Sequence, residues 1–479
     1  MTDPGDFPTA TEQDQSALSS PSRRPVLGFV VFWCAEQPSH LGAFLPVFST
    51  SDRRPQILGR GGALATDQYA RLEPELQRPG TNLRLAPFEC AALSRSQLHV
   101  SATQSRTLLV ANVGKCPMFH NGASVTNAEV RVGDLLQVGR QLTLLCVERP
   151  PQLPGEAALI RHEFGEPDRH GIVGESPSIW QLRQAIESIG TRPGHVLILG
   201  ASGTGKELIA RAVHSTGNPR GTFVARNAGT LPESLLDAEL FGNAKGYPNA
   251  GMSERTGLIG AAHGGSLFLD EIAELPMPAQ THLLRVLDEG EYQSLGDPTL
   301  RRSSFRLIAA TNQPESALRG DVQARFTFRI HTPDLAQRRE DVTLIARFML
   351  KKIASEDSAL AARLFTDTHE PRLSPSLLRQ LARHPFSNNV RELRNLLWQL
   401  AISGDDRTLE WHEPISERSE ELVDSTKTDA AVMELQRALD ANNGSIERTW
   451  RALGLPSRFA MMRLIKKHGL RIQKDTRKD

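Results

Sequence analysis

The sequence of 479 residues lacks most of the features that mark secreted, membrane-spanning or zinc-binding proteins. It has only four cysteines, Cys34, Cys90, Cys116 and Cys146, and their spacing indicates neither a disulfide framework nor a zinc site. The longest apolar run, Val26–Ala35, has ten residues including a glycine, whereas a membrane-spanning helix needs about 20. The start has no cationic stretch leading into an apolar one, so we expect no secretory signal.

The sequence also lacks an excess of charge of either sign. Lys and Arg number 56 against 55 Asp and Glu, so any contact with nucleic acid has to come from a local basic patch. Hydrophobic residues make up 39% and charged residues 23%, which is typical of globular proteins. At about 100–200 residues per domain, the length predicts two to four domains. We therefore expect a modular cytoplasmic protein with no membrane partner.

The amino-terminal third reads as β structure. Residues 1–25, rich in Ser, Pro, Thr and Asp, predict a disordered tail. Residues 26–150 hold short strand-like segments, such as Leu98–Val100, Thr107–Val110 and Leu142–Val147, separated by Gly, Asn, Asp and Pro turns. That spacing predicts an all-β sandwich or barrel. Residues 151–168, which are polar and contain Pro and Gly, are interpreted as a linker.

The pattern changes at residue 169 and again near residue 400. Within 169–400, the apolar runs Val196–Leu199, Leu267–Leu269 and Leu307–Ala310 alternate with helical stretches. This alternation predicts an α/β domain with a buried parallel sheet. Residues 401–430 read as an acidic linker, since 410–429 carry seven acids and two bases. Residues 431–479 predict helices that end in a basic stretch.

A glycine-rich loop follows the first of these apolar strands and opens a helix at Glu207–Val213. Its spacing is that of a P-loop, whose backbone N–H groups surround a polyphosphate while a lysine adds charge at the β and γ phosphates. The sequence thus predicts an ATP site. Position 207 is Glu where the motif usually has Ser or Thr, so Thr204, water or a later carboxylate remain alternatives for the metal contact. The predicted nucleotide-binding residues are Gly200, Ser202, Gly203, Thr204, Gly205, Lys206 and Glu207.

A second strand ends in two acids. Asp270 and Glu271 follow the apolar run Ser266–Leu269. We predict that Asp270 holds Mg²⁺ and that Glu271 orients and deprotonates an attacking water. Another strand ends in Thr311 and Asn312, polar groups placed to sense the γ-phosphate.

These motifs together resemble the AAA+ ATPase domain of bacterial enhancer-binding proteins, the activators of sigma-54 RNA polymerase. The likeness rests on the segments at 200–207, 239–242 (Glu-Leu-Phe-Gly), 264–272 and 389–393 (Asn-Val-Arg-Glu-Leu). The Glu after the P-loop lysine is usual in this family. The resemblance implies a small helical subdomain from about residue 335 and an active homo-oligomer, from dimer to hexamer.

The resemblance also implies roles for residues that the motifs alone do not explain. Asn227 matches the partner that restrains the catalytic glutamate before hydrolysis. Arg319 and Arg325 match paired arginines supplied to the neighbouring subunit's nucleotide, where a guanidinium neutralises charge on the γ-phosphoryl oxygens. Arg391 matches a nucleotide sensor in the helical subdomain.

One loop departs from the family. Where the family carries Gly-Ala-Phe-Thr-Gly-Ala, whose Phe and Thr touch sigma-54, this chain has Gly-Tyr-Pro-Asn-Ala-Gly at 246–251. Pro248 and Asn249 occupy the Phe and Thr positions, and Tyr247 lies one position early. We expect hydrolysis to survive this change, because the loop is remote from the phosphates. The stretch 321–326 also departs from the family pattern.

The predicted β-sandwich resembles a forkhead-associated (FHA) domain, a fold whose loops bind phosphothreonine peptides. The likeness rests on Leu58–Gly61, Leu93–His99, Asn121-Gly122 and Val132–Asp134. It implies that Arg60, Ser94 and Arg95 bind phosphate through charge-assisted and hydroxyl hydrogen bonds and that His99 braces the loop. The implied partner is a phosphothreonine protein or a kinase. Lys115-Cys116-Pro117 stands where the family has an Asn-Gly pair, so a sandwich without a phosphorylated ligand remains an alternative.

The carboxyl-terminal segment predicts a helix-turn-helix. A helix at Ile446–Leu453 ends at Gly454, and the next begins at Ser457. The segment resembles the Fis-type DNA-binding domain, and residues 456–479 hold eight Lys or Arg against two Asp, a patch suited to DNA phosphates. The expected partner is DNA at upstream, enhancer-like sites. The predicted base-contacting residues are Arg458, Phe459 and Met462, and the predicted phosphate-contacting residues are Arg463, Lys466 and Lys467.

The main hypothesis is therefore a DNA-binding regulator whose AAA+ ring hydrolyses ATP to remodel sigma-54 RNA polymerase. A second hypothesis keeps DNA binding and the ring but omits sigma-54, because the 246–251 loop is altered. A third is a phosphopeptide-binding scaffold with a vestigial ATPase. The intact Lys206, Asp270 and Glu271 argue against the third.

Overall fold

The computed structural model describes residues 24–48, 55–62, 69–403, 406–411, 436–442, 445, 446, 449 and 450. The chain divides into two compact units. The first holds the β-rich segment and the α/β domain up to Trp398, together with 406–409, and the second holds the remaining carboxyl-terminal residues. Among the described residues, no helix combines the length and apolar character needed to cross a bilayer.

The amino-terminal segment is a β-sandwich, which confirms the β-rich prediction for this part of the chain. One sheet has the strand order β5-β4-β2-β1-β12-β11-β8-β9, and the facing sheet has the order β10-β7-β6-β3. Apolar side chains of both sheets form one buried cluster that includes Phe29, Leu98 and Leu144. The strands are β1 (Val26–Cys34), β2 (Phe44–Pro46), β3 (Gln56–Leu58), β4 (Glu75–Arg78), β5 (Thr81–Arg84), β6 (Leu98–Ala102), β7 (Leu108–Asn112), β8 (Met118–His120), β9 (Ala123–Val125), β10 (Asn127–Val130), β11 (Leu135–Val138) and β12 (Leu142–Arg149).

The central segment is built on a five-stranded sheet of order β14-β15-β18-β13-β19, in which all neighbouring pairs are parallel. The strands are β13 (His195–Leu199), β14 (Phe223–Asn227), β15 (Ser266–Asp270), β18 (Arg306–Thr311) and β19 (Phe326–His331), and a small antiparallel pair is formed by β16 (Glu291–Tyr292) and β17 (Arg301–Arg302). The three apolar runs predicted as buried strands are confirmed. Because the strands are parallel, the residues that follow them meet at one edge of the sheet.

Helices cover the sheet and continue beyond it. Ser176 caps the first helix by accepting a hydrogen bond from the N–H of Ile179, and the second begins directly after the P-loop, as predicted. The helices are α1 (Pro177–Gly190), α2 (Lys206–Gly217), α3 (Leu236–Phe241), α4 (Gly257–Ala261), α5 (Met277–Glu289), α6 (Gly320–Gln323), α7 (Val342–Glu356), α8 (Ser358–Leu364), α9 (Pro375–Arg383) and α10 (Asn389–Ser403). We call α7–α10, with the 3₁₀ segment Leu335–Asp341 before them, the lid.

The sandwich contacts both the α/β domain and the lid. Arg149 at the end of β12 pairs with Glu340 of the lid at 2.9 Å, and the Arg149 side chain is 2% exposed. Elsewhere Gln137 donates to the carbonyl of Pro375 at the start of α9. A third contact joins Arg78 of β4 to Glu175, which precedes α1, at 3.1 Å. The sandwich thus contacts both the segment before α1 and the lid.

The predicted helix-turn-helix lies almost wholly outside the described residues. Within residues 431–479, the structure describes 436–442 and four single positions, with a helix over 436–441. The six residues predicted to contact DNA, Arg458, Phe459, Met462, Arg463, Lys466 and Lys467, all lie outside the described residues.

Candidate functional site

A cleft lies where the carboxyl ends of the parallel strands meet the lid. Its volume is about 480 Å³. The sheet side contributes the P-loop and the strand-end acids, and the lid side contributes residues of α7 and α10. Ten of the residues predicted from sequence line this cleft: Ser202, Gly203, Thr204, Gly205, Lys206, Glu207, Asn227, Asp270, Glu271 and Arg391.

The P-loop is a closed turn between β13 and α2. Gly200, Gly203 and Gly205 have φ angles of +158°, +77° and +98°, of which the last two lie well inside the region that favours glycine. The ammonium of Lys206 donates to the carbonyl of Gly200 at 3.0 Å and is 7% exposed. The positive end of α2 and the Lys206 charge therefore act on the same space, which is the electrostatic arrangement that binds a polyphosphate.

The strand-end acids stand beside that lysine. Glu271 Oε1 lies 3.6 Å from Lys206 Nζ, so the two motifs that the sequence places 65 positions apart converge in the fold. The other carboxylate oxygen of Glu271 accepts the backbone N–H of Asn312 at 3.0 Å. Glu271 itself has a φ of +52°, a left-handed conformation that a glutamate rarely adopts. The turn aims its carboxylate across the end of the sheet toward Asn312.

Asp270, the predicted Mg²⁺ ligand, lies in the cleft lining next to Glu271. One of its carboxylate oxygens accepts the N–H of Glu271 at 3.1 Å, which fixes the side chain at the cleft wall. Burial and the adjacent charge of Glu271 raise the pKa of Asp270, although Lys206 opposes the shift. Two adjoining carboxylates in a partly buried cleft are stabilised by a cation, so the residues fit a bound Mg²⁺.

The predicted restraint of Glu271 by Asn227 has a different geometry here. Both side chains line the cleft, but among the described residues the hydrogen bond to the Glu271 carboxylate comes from the backbone of Asn312. Asn227 ends β14, next to Asp270 on β15. A role for Asn227 toward Glu271 stays a prediction.

Part of the cleft lining is apolar and was not predicted from the sequence. It is formed by Ile172 and Val173 from the segment before α1 and by Phe348 and Met349 from α7. Arg338, which is buried, lies in the same lining, and burial lowers the pKa of its guanidinium. This mixture suits a flat aromatic base. Little in the sequence indicated that the α7 residues bind a ligand, because their spacing is that of an ordinary helix packed on a core.

Two side chains outside the P-loop form hydrogen bonds with it: Thr332, which follows β19, and Arg391, in the first turn of α10. The hydroxyl of Thr332 lies 2.9 Å from that of Thr204, which in turn donates to the carbonyl of Ala201. That contact occupies Thr204, so the structure favours a carboxylate or water over Thr204 as the metal contact. On the lid side, Arg391 donates to the hydroxyl of Ser202 at 3.1 Å.

Arg319 and Arg325 do not line this cleft. Both are exposed and pair with nearby acids, Arg319 with Asp321 and Arg325 with Asp288. Neither lines the cleft of its own chain, so a role toward a neighbouring subunit's nucleotide stays a prediction. Exposed ion pairs of this kind contribute little stability, so they exchange partners readily.

The predicted phosphopeptide residues gather at one end of the sandwich. The N–H of Arg60 donates to the carbonyl of Ser94, while the hydroxyl of Ser94 accepts the N–H of Lys115. Ser96, which sequence reasoning did not select, lies 3.0 Å from the ring nitrogen of His99. These loops form a connected polar surface. The Lys115 segment precedes β8 and the Asn121-Gly122 turn follows it.

The departing loop at 246–251 lies between α3 and α4 and has a fixed base. The buried amide of Asn243 donates to the carbonyls of Ala244 and Ser253, and the N–H of Gly246 donates to the carbonyl of Met252. Tyr247 is 41% exposed at the tip, so the loop presents one aromatic ring to solvent.

The fold and the cleft define a P-loop nucleotide-binding domain with a helical lid, the AAA+ class of ATPase. Comparison with known families agrees: a family described as "Sigma-54 interaction domain" matches residues 172–336, and one described as "AAA+ ATPase lid domain" matches residues 336–430. The chain belongs to the family of transcription regulators that carry this sigma-54 interaction domain.

The similar proteins include two named "Anaerobic nitric oxide reductase transcription regulator NorR". That of Aeromonas salmonicida is 31% identical over 382 residues, which are 75% of this chain and 72% of the relative. That of Aeromonas hydrophila is 34% identical over 287 residues, which are 58% of this chain and 54% of the relative. The chain spans about half the length of several such relatives. A solved structure, NtrX from Brucella abortus in complex with ATP, is 29% identical with a TM-score of 0.46 and covers 64% of this chain and 70% of that one.

Proposed function

We propose that the protein is an ATP-hydrolysing regulator of transcription that acts on sigma-54 RNA polymerase. The observation that carries this proposal is the convergence of Lys206 and Glu271, 3.6 Å apart, in a cleft closed by the lid. A cationic phosphate loop beside a carboxylate pair is the arrangement that phosphoryl transfer to water needs. Membership of the sigma-54 interaction family supports the target.

Within the cleft, each residue has a distinct proposed role. Lys206 and the N-terminus of α2 bind the phosphates, and Asp270 holds Mg²⁺, which when bound neutralises charge on the phosphate oxygens. Glu271 accepts a proton from the attacking water, with its carboxylate oriented by the N–H of Asn312. The apolar part of the lining around Phe348 binds the base.

The proposed active form is a homo-oligomer with shared sites. Arg325 and Arg319 are exposed and lie outside their own cleft, so we assign them to the nucleotide of the adjacent subunit. Their local partners, Asp288 and Asp321, hold them until phosphate replaces the carboxylates. Arg391, already bonded to Ser202, senses the nucleotide from the lid.

The segments on either side of the ATPase domain have proposed binding roles, one for a signalling protein and one for DNA. The sandwich is an FHA-type module whose loop around Arg60 and Ser94 binds a phosphothreonine protein, and its contact with the lid through Glu340 supports transmission to the ATPase. The carboxyl-terminal segment is a Fis-type helix-turn-helix that binds DNA upstream of promoters. Replacing Arg60 by Ala is expected to abolish binding of a phosphothreonine peptide, whereas Arg140→Ala, on an exposed turn, leaves it intact.

A second candidate function is favoured by one observation. Pro248 and Asn249 occupy the positions through which the family touches sigma-54, and proline removes a backbone donor. In this case the ring and DNA binding remain, and nucleotide state controls oligomerisation on DNA without remodelling the polymerase.

Open-complex formation on a sigma-54 promoter separates the two functions. The main proposal predicts open complexes that require ATP and disappear in Lys206→Ala. ATP hydrolysis and DNA footprints without open complexes would favour the second function. No hydrolysis by the assembled protein would refute both.

A further inference from the structure

Two consecutive carbonyls of the P-loop are hydrogen-bonded to the lid. The side-chain amide of Asn389 donates to the carbonyl of Ser202 at 3.0 Å. One residue further along in both segments, the backbone N–H of Val390 donates to the carbonyl of Gly203 at 3.1 Å. Both donors belong to the first turn of α10. The lid therefore forms hydrogen bonds with the backbone of the loop as well as with its side chains.

These bonds determine where the loop's own donors point. In a planar trans peptide the C=O and the following N–H are directed to opposite sides. With the carbonyls of Ser202 and Gly203 turned toward α10, the N–H groups of Gly203 and Thr204 point away from it. Consecutive N–H groups with a common direction form the concave anion site of a P-loop.

Asn389 is closely fitted to this position. It is 3% exposed, its φ is +52°, and its Oδ1 accepts the N–H of Leu335 at 2.7 Å. The Asn389 amide donates to the Ser202 carbonyl through Nδ2 and accepts the Leu335 N–H through Oδ1, and these two hydrogen bonds fix its orientation. Opposite it, a Cβ on Gly203 would lie 2.1 Å from the carbonyl oxygen of Asn388, which leaves room for glycine alone.

We propose that Asn389 is a positioning residue that pre-orients the phosphate-binding N–H groups, so that phosphate affinity depends on lid position. Its side chain contacts the loop and the 3₁₀ segment of the lid, and its action on the nucleotide passes through the Ser202 peptide. A lid that shifts away releases this carbonyl, and the N–H groups lose their common direction. The inference rests on the proposed nucleotide site, and its test uses binding and not hydrolysis.

The test measures binding of ADP and AMP to the full chain by calorimetry. Asn389→Asp keeps the size and the acceptor for Leu335 but replaces the donor with an oxygen that repels the Ser202 carbonyl. Asn389→Gly keeps the left-handed backbone and the Val390 bond while removing both side-chain bonds. Asn388→Asp makes the same charge change at the adjacent exposed position and serves as the control.

We expect Asn389→Asp and Asn389→Gly to weaken ADP binding by about tenfold or more, the effect of one lost hydrogen bond in a preorganised site. AMP, which lacks the β-phosphate, is expected to bind within about twofold of the wild type, and KM for ATP to rise with kcat at saturation little changed. Wild-type ADP affinity in both variants would overturn the proposal. Equal losses for ADP and AMP would also overturn it, since a general disturbance of the cleft would then explain the effect. Failure of the wild type to hydrolyse ATP would refute the proposed function and leave this result standing.

Discussion

At the scale of single residues, the carboxylate of Glu271 is held in place by its backbone conformation and by its contacts. Its left-handed backbone, its bond from the N–H of Asn312 and its closeness to Lys206 fix one carboxylate at the end of the sheet. This costly backbone conformation beside a phosphate loop supports the proposed role of Glu271 as the proton acceptor from water.

We therefore predict that Glu271→Gln lowers kcat for ATP hydrolysis by about 10²–10⁴-fold while ATP binding persists, because the amide keeps the size but cannot accept the proton. Steady-state hydrolysis and calorimetric titration measure the two effects. Glu274→Gln, an exposed glutamate three positions later, is the matched control and is expected to retain activity. Hydrolysis by Glu271→Gln at more than half the wild-type rate would contradict the assignment.

The site residues that could be predicted from the sequence belong to local motifs, whereas those that could not depend on contacts between distant parts of the chain. Lys206 and Asp270 were predictable because a P-loop and a strand end are local patterns with fixed consequences. Asn389 lies 187 positions from the Ser202 carbonyl that it holds, and no local pattern encodes that bond. Arg338 and Phe348 line the cleft only because the lid packs back across the sheet, which is a property of tertiary structure.

At the scale of elements, the start of α1 is held by a buried polar network. Glu175 contacts Arg78 of β4 and the indole N–H of Trp180, and burial alone would raise its pKa. The His162 ring, whose Nε2 lies 3.5 Å from the Glu175 carboxylate, and the charges of Arg78 and Arg183 outweigh burial, so the pKa of Glu175 lies below its usual value. The folded state therefore binds this proton more weakly than the unfolded state does.

A lowered pKa makes the contribution of Glu175 to stability pH-dependent, with a definite sign. It is complete above the pKa of an unfolded glutamate, about 4.3, and is lost as pH falls from there through the lowered pKa of the folded state. We predict that Arg78→Met lowers the free energy of unfolding by about 3 kcal/mol at pH 7, because it leaves a buried carboxylate short of one counter-charge.

Urea unfolding at about pH 7 and at about pH 3.5 checks this prediction, and the difference between variant and wild type is expected to shrink at the lower pH. Arg84→Met, which breaks the exposed pair with Glu73, is the control and should change stability by less than about 1 kcal/mol. A deficit for Arg78→Met that grows on acidification would contradict the account of Glu175.

Some strands and helices could be predicted from the sequence pattern and others could not. Strands β6, β12, β13, β15 and β18 were recognisable because each is an apolar run bounded by turn residues. The pairing of β4 with β5 and the short strands β16 and β17 were not predicted, since these segments are polar and owe their conformation to neighbours. The lid helices were predicted as helical, but the kink at Arg338 within Leu335–Asp341 has no local signal.

At the scale of the whole molecule, the sandwich and the lid are joined by a buried ion pair. The side chains of Arg149 and Glu340 are 2% and 11% exposed. Among the described residues, Nε and Nη1 of Arg149 have no hydrogen-bond partner, so Glu340 supplies the compensating charge. The adjacent Asp341 accepts the N–H groups of Glu175 and Ser176, which ties the same short segment to the start of α1.

We predict that Glu340→Ala lowers the unfolding free energy by about 3–5 kcal/mol, because it leaves the Arg149 charge buried and unpaired. The double variant Arg149→Met with Glu340→Leu is expected to recover most of this loss, since it replaces the pair by apolar side chains of similar size. Urea denaturation measures both. Equal destabilisation in the single and double variants would show that the ion pair is not the source of the effect.

The central claim for the assembled protein is that one active site draws on two subunits, and mixing two inactive variants tests it most directly. Glu271→Gln retains Arg325, and Arg325→Ala retains Glu271. Each alone is expected to hydrolyse ATP at a small fraction of the wild-type rate, whereas a mixture in equal amounts regains activity, because about a quarter of randomly formed interfaces combine an intact Glu271 with a neighbour's intact Arg325. A mixture that stays as inactive as its two components would contradict the shared site.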